Sequence, residues 1–470
     1  APAAPSRLAF KSLGSLSVAA RASFGTTPVV QITDDYGNVV KNDTTTSAIT
    51  ISAIASDSSV INGSAAGNFI SGNTANASAG EFSFPDLKVG AAIGSYTLKV
   101  TSVTRSSGGT LTKVDSGAFT LTAGAVSQLA KTTNASGAAA GKPFTGQPVI
   151  EIRDADNNKV ELANAQIQLT SNDAEVFNTA TITTSNGVAN FGSATSKVGL
   201  RGSTVGTKTI KFSLVSDPTI YTTQTGITLT AGDAYKLSVG TAPVDITAGS
   251  TFTDPVTVGV VDAWGNAVST SVSVTAGLAD GVSRADLVDS GIVGDFATTN
   301  SSGVATFSTL KFTRAGASRI KFVAGNLVTY SDAFNIAVAA PHHITWDSLG
   351  QTSVANRVAF TTAPVATLRD AYENLVSTGY TASATIGTTT GTNHANATNI
   401  VQNATRIAVG GTFTFENLVV AAKIDTYKFK IASISVTQTV GGASVSLNNS
   451  AAQSDLFAVT HGAANKVTVI

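Results

Sequence analysis

Val29-Val30-Gln31-Ile32-Thr33-Asp34-Asp35-Tyr36-Gly37-Asn38-Val39-Val40 decides how the rest of this chain reads, because it comes back three times, at 149–160, 258–268 and 365–376. The leading aspartates are Asp34, Asp154, Asp262 and Asp370. In each copy apolar residues alternate up to the Asp, the chain reverses over about four residues, and a second strand leaves after an Asn. Asp suits the head of such a turn because its carboxylate accepts backbone N–H groups from the residues ahead of it. Gly37, Asn157, Gly265 and Glu373 fall where a left-handed residue is expected. Gly adopts that conformation freely and Asn tolerates it, whereas Glu373 should carry roughly 1 kcal/mol of strain. The same acids admit a second reading as calcium ligands, since Asp34 with Asp35 and Asp154 with Asp156 offer paired carboxylates. Copies three and four lack the second carboxylate, so turn forming is the simpler account.

Three further landmarks follow each turn in fixed order. The first is Gly80-Glu81-Phe82-Ser83-Phe84, with counterparts at 187–191, 303–307 and 411–415. Alternation puts the last aromatic and the residue two before it on one face, toward a core. An apolar residue recurs three positions on, as Leu87, Ala194, Leu310 and Leu418. The second is Tyr96-Thr97-Leu98-Lys99-Val100, with counterparts at 209–212, 319–322 and 427–431, its lysines on the face away from the core. The third closes the repeat, at 119–124, 227–232, 334–338 and 457–460.

The key aspartates are 120, 108 and 108 residues apart. That period exceeds the roughly 20–50 residues of a solenoid repeat and matches one β-sandwich. The fold class expected is all-β: four tandem sandwich domains, 1–124, 125–232, 233–339 and 340–462, with 463–470 as a terminal strand or the start of a fifth. Linkers of a few residues imply an elongated, semi-rigid array, on the order of 150 Å long at roughly 40 Å per sandwich. Residues 103–114 and 434–447 read as added hairpins.

Composition narrows the function classes. Net charge is zero and only 12% of residues are charged, which leaves no basic patch for nucleic acid. There is no cysteine and no methionine, hence no disulfide and no thiolate chemistry. Ala1-Pro2-Ala3-Ala4-Pro5 looks like the mature end left by a signal peptidase, which predicts an extracellular protein whose signal peptide has been removed. No run of about 18 apolar residues offers a transmembrane helix.

Little in the chain points to catalysis. No nucleophile motif is visible, and no Gly-rich loop leads into a helix that could hold phosphate. His342 and His343 are adjacent, while His394 and His461 stand alone; without a third ligand the pair is a weak metal signal. Asp280, Asp286 and Asp289, with Asp295, form the densest acidic run and are a second calcium candidate, or simply a solvated loop. Trp264 and Trp346 could offer a sugar platform, but Trp264 sits in the turn at the place of Tyr36 and Tyr372, so a partly exposed ring packed over the turn is simpler. Eight Asn-x-Ser/Thr sequons occur, a number that so Ser/Thr-rich a chain produces by chance. The residues therefore predict no enzyme and no catalytic or cofactor site, with calcium the one ion they could take.

Asp-x-x-Gly-Asn between strands, then Gly-Val-Ala-Thr-Phe and a Gly-x-x-x-Ile/Leu-x-Phe/Val strand, resembles the bacterial immunoglobulin-like domains of the invasin and intimin type. The resemblance spans residues 6–462, departing at Asn157-Asn158 and at Glu373. It implies immunoglobulin-like sandwiches and a cell-surface role with no carried-over catalytic residues. The function expected is a non-catalytic structural protein of a microbial surface, a self-assembling surface-layer or array subunit, or alternatively the stalk of an adhesin. Its partners would be other copies or other surface components. A free strand at 463–470 could add to a sheet of a neighbouring copy.

Overall fold

The computed structural model describes residues 1–13, 16–389, 400–448 and 452–462. It is all-β; among these residues the only helix is a single 3-10 turn, Phe191–Ser193. The chain forms two compact units, residues 1–233 with 264–266, and residues 234–263 with 267–470. Each unit holds two separate hydrophobic cores among the described residues.

In the first unit, one core lies between two sheets. The smaller runs Arg7–Ser12, Val29–Thr33, Glu81–Ser83; the larger runs Ser17–Ala19, Asp115–Thr122, Gly94–Arg105, Thr46–Ala55. The second core repeats this order. Gln128–Thr133, Val149–Arg153 and Val188–Asn190 make the smaller sheet, and Ala138–Ala139, Asp217–Thr230, Gly206–Leu214 and Gln166–Ser171 the larger. The second unit holds the same arrangement twice, around Val256–Val261 and around Val365–Arg369.

One crossing is common to all four. The opening strand pairs antiparallel with the turn strand, the chain changes sheet, and the next short strand joins the closing strand in parallel. The parallel partners are Val18 with Leu121, Ala138 with Leu229, Ile246 with Ile336, and Val354 with Val459. Two antiparallel sheets over a shared core, linked by such crossings, make an immunoglobulin-like sandwich. We propose that each core is one domain, with the boundaries at 124, 232, 339 and 462 given above.

Alternation places side chains as expected. Phe82 and Phe84, Ala189 and Phe191, Ala305 and Phe307, and Phe413 and Phe415 are all buried. Leu87, Leu310 and Leu418 are fully buried three residues on. In the second repeat that place belongs to Val198, not Ala194: the 3-10 turn lengthens the connection, Val198 is fully buried, and its carbonyl accepts Phe144 N–H as Leu418 accepts Phe360 N–H. Residues 434–447 form the expected hairpin, with Gln438 N–H bonded to Ala443 O and Gly441 and Gly442 at positive φ. Residues 103–114 do not. Gly94–Arg105 is instead one long strand on Thr46–Ala55, and the chain then folds back so that Thr112 bridges Arg7 of the opening strand.

The glycine before each Phe strand is explained by a close approach. Gly80, Gly187, Gly303 and Gly411 have φ between 73° and 78°, and a Cβ there would lie 2.0–2.7 Å from the carbonyl oxygens of Val40, Val160, Val268 and Val376. These carbonyls belong to the strand that leaves the turn, so no side chain fits beneath it. Gly187→Ala should therefore destabilise the first unit by more than the roughly 2 kcal/mol upper end of the left-handed penalty alone. Gly226→Ala, at φ 76° but with open space around it, should stay within that penalty. Denaturant unfolding of the two variants checks this; equal losses would contradict it.

Candidate functional site

The recurring aspartate is buried at all four positions, with exposures of 0% to 1%. A carboxylate at that depth must have partners, and its own turn supplies most of them. Asp34 Oδ1 accepts the N–H groups of Tyr36 (3.0 Å) and Asn38 (2.9 Å), while Oδ2 accepts Asn38 Nδ2 (3.1 Å) and Ala3 N–H (2.9 Å). Asp154 repeats the set with Asp156 N–H, Asn158 N–H, Asn158 Nδ2 and Gly124 N–H. Asp370 repeats it with Tyr372 N–H, Asn374 N–H, Asn374 Nδ2 and Ala339 N–H. The fourth donor lies in the segment entering the sandwich, so the turn ties that entry down. Gly37, Asn157, Gly265 and Glu373 are all left-handed, with φ between 68° and 89°.

The charge of these carboxylates follows from that geometry. Burial opposes ionisation of Asp34 and Asp154, but the hydrogen bonds, first from Ala3 or Gly124 and then from the turn, more than offset it. Both pKa values lie below the ordinary aspartate value.

The rest of the turn reaches the preceding sandwich. In the first unit Asn158 Nδ2 donates to Ala91 O (2.8 Å), and Ile93 N–H donates to Asn158 Oδ1 (3.0 Å). In the second unit Asn374 Nδ2 donates to Thr313 O (2.7 Å), and Ala315 N–H donates to Asn374 Oδ1 (2.9 Å). Asn266, which clusters with the first unit, donates from Nδ2 to Gly202 O (2.8 Å). The same amide thus closes its own turn and docks on a neighbouring loop.

The residue two after the aspartate completes the contact in one of two ways. Asp156, its side chain 1% exposed, takes a two-pronged ion pair from Arg21 (2.8 and 2.9 Å) and the N–H of Gly67 (3.0 Å). Arg21 also lies over the Phe69 ring. Tyr372 instead presses its hydroxyl on Gly249, where a Cβ would stand 1.9 Å from that oxygen. Within the first unit Trp264 likewise fills the space beside Gly141 and packs on the second core. Arg21, Gly141 and Gly249 are all left-handed, at φ 63°, 72° and 79°. Each stands where its N–H meets the far sheet, on Val89 O, Leu200 O and Phe312 O.

The arrangement is a joint: two sandwiches are held by backbone bonds to one Asn and by one side chain, the buried Asp156 or the part-exposed Tyr372, set against the neighbouring loop. Its parts were half-visible in the sequence. The Asp as turn former and the left-handed residue were expected. The docking roles of the Asn and of the residue at the third turn position were missed, although their recurrence at fixed offsets was the available signal.

The acids read as calcium candidates are engaged by donors. Asp34, Asp154 and Asp156 are accounted for above. Asp35 is exposed, 3.6 Å from Arg7. Asp280 accepts Val282 N–H, Ser283 N–H and Ser283 Oγ. Asp286 pairs with Lys321 at 2.8 Å. Asp289 accepts Gly291, Thr313 and Arg314 N–H groups and the Thr313 hydroxyl. Among the described residues no three His, Asp or Glu side chains converge as metal ligands. His342 and His343 contact each other at 3.1 Å, and His343 meets Glu373 at 3.1 Å. His461 is exposed, and His394 lies outside the described residues. Trp346 stacks in the fourth core on Phe415 and Phe429, its Nε1 bonded to Ala452 O.

Neither a protein-family model nor a curated protein sequence matches this chain. Among solved structures it is similar to invasin, described as a bacterial integrin-binding protein, at 12% identity over 97% of this chain and 78% of that one, with a TM-score of 0.28. It is similar to the Escherichia coli adhesin FdeC at 18% identity over 72% and 99%, TM-score 0.30. It is also similar to domains 1–6 of the surface layer protein SbsC at 13% over 95% and 53%, TM-score 0.22.

The depressed aspartate values fix a pH dependence. A carboxylate held below its unfolded value, about 4, contributes stability that is fully present above that value and is lost as pH falls through the folded one. The first unit should therefore hold constant stability from neutral pH to about pH 4 and weaken below it. Asp154→Asn turns an amide N–H₂ toward the donors of Gly124 and Asn158 and should cost about 1–3 kcal/mol at pH 7, with a smaller further loss in acid. Thermal unfolding across pH measures both; an Asp154→Asn variant matching the native chain at pH 7 would contradict the assignment.

Proposed function

We propose that this chain is a non-catalytic structural protein of a microbial cell surface, in which successive sandwiches set a spacing. The observation that carries this reading is the joint. An ion pair to a buried carboxylate or an aromatic plug, with two backbone bonds to one Asn, fixes one sandwich on the next within a unit, which is what a spacer requires and a flexible linker lacks. The surface location rests on the motif resemblance given above. Of the two finer forms, we favour the stalk segment over the self-assembling array subunit, because these joints act along the chain, whereas an array needs lateral contacts between copies. Sedimentation velocity over a hundredfold concentration range, with and without calcium, separates the two. The stalk reading predicts a monomer throughout; ordered higher assemblies would overturn it in favour of the array.

A further inference from the structure

The loop that receives Asn158 in the first sandwich has a close counterpart in the fourth that receives no such amide among the described residues. In the first, Arg21 N–H bonds Val89 O (2.7 Å), Ala20 N–H bonds Thr122 O (2.9 Å), and Tyr96 Oη bonds Ala92 O (2.8 Å). In the fourth, Arg357 N–H bonds Val420 O (2.8 Å), Asn356 N–H bonds Thr460 O (3.0 Å), and Tyr427 Oη bonds Lys423 O (3.0 Å). Residues 421–424 therefore match 90–93 one for one. Arg357 is left-handed at φ 64°, as Arg21 is at 63°. Ile93 and Ile424 are each 53% exposed. Gly462 lies as close to Asn356 O as Gly124 does to Ala20 O, leaving 2.2 and 2.4 Å for a Cβ. Gly124 is the residue whose N–H reaches Asp154.

The joints also follow a pairing rule. Where the left-handed socket residue is Gly, at 141 and 249, the incoming turn carries an aromatic ring, Trp264 or Tyr372. Where it is Arg21, the incoming turn carries Asp156. Arg357 is exposed, and its guanidinium forms no hydrogen bond or ion pair among the described residues. Ala422 O and Ile424 N–H, the equivalents of the groups that grip Asn158, are likewise unengaged among them.

We infer that Arg357, residues 421–424 and Gly462 supply the arginine, carbonyl and N–H groups of a socket for a further sandwich whose turn reads Asp-x-Asp-x-Asn. Arginine paired to a carboxylate in two-pronged geometry is specific in a way that an aromatic ring on that site is not. A second copy of this chain does not fit: its first turn carries Tyr36 at the pairing position, and its own Asp-x-Asp-x-Asn turn, 154–158, is already engaged. Two side chains separate the two loops, Ala421 for Gly90 and the exposed Lys423 for the exposed Ala92. Ala421 stands where Gly90 does, and a Cβ at Gly90 would meet Asp156 Oδ2 at 2.4 Å. That Cβ would also lie 2.9 Å from Asp156 Cγ and from Arg21 Cγ, so an ion pair at this place must shift as a whole to admit the methyl. The inference rests on the joint geometry and not on the surface assignment.

The test appends a copy of residues 125–232 after Gly462, which recreates the Gly124–Ala125 step, and compares it with an appended copy of residues 233–339, whose turn carries Trp264. Amide hydrogen exchange at Ile424 reads the docking. The first extension should slow exchange at Ile424 at least tenfold, and the second should leave it near that of the unextended chain. Arg357→Asp should abolish the protection, and Asp156→Arg in the appended copy should restore it. Equal protection by both extensions, indifference to Arg357→Asp, or concentration-dependent protection in the unextended chain would each overturn the inference.

Discussion

A buried carboxylate with four N–H donors is the constraint on which the rest depends. Its cost is high unless every lone pair is used, and the turn uses them by folding back on itself and by holding the segment that enters the sandwich. Three consequences follow from one residue type. The turn takes a single shape, with a left-handed residue one place before the Asn. The Asn amide is oriented by its bond to the Asp and so presents its remaining donor and acceptor outward. The entry segment is fixed close to the turn, which leaves little slack between one sandwich and the next within a unit.

Packing supplies stability, and the joint supplies geometry. Each core is built from phenylalanines and β-branched residues on alternating positions, such as Phe191 with Phe212 and Phe307 with Phe322. The joint adds little apolar area. In its Arg21–Asp156 pair the carboxylate is buried and the arginine part-exposed; the two short bonds offset the cost of desolvating the carboxylate, so the pair's value lies in orientation. A wrong plug in that place leaves an unpaired charge, and this penalty is what makes the joint selective.

Much of the fold was legible because strand alternation and turn chemistry are local. The period of two located Phe82, Phe84 and their counterparts on the core face without any long-range information, and the order of four landmarks located the repeats. Where local reading failed, a tertiary contact had won. Val198 displaced Ala194 because a 3-10 turn changed the count, and residues 103–105 extended a strand along Thr46–Ala55 before the chain folded back to bridge Thr112 with Arg7. The joint was less legible still. Asn158 looks like any turn residue until Ala91 O is placed beside it, and nothing near Asp156 in sequence announces Arg21, 135 residues away. Trp264 and Tyr372 looked like cover for their own turns because their true neighbours, Gly141 and Gly249, have no side chain to signal the fit.

The central claim is that the third position of the turn couples one sandwich to another. A double-mutant cycle on Arg21→Met and Asp156→Ala, read by denaturant unfolding of the full chain, measures that coupling directly. The account predicts an interaction energy within the range of about 0.5–3 kcal/mol found for residues in direct contact. Additive single-variant losses, within about 0.3 kcal/mol, would mean that the two residues do not hold the sandwiches together.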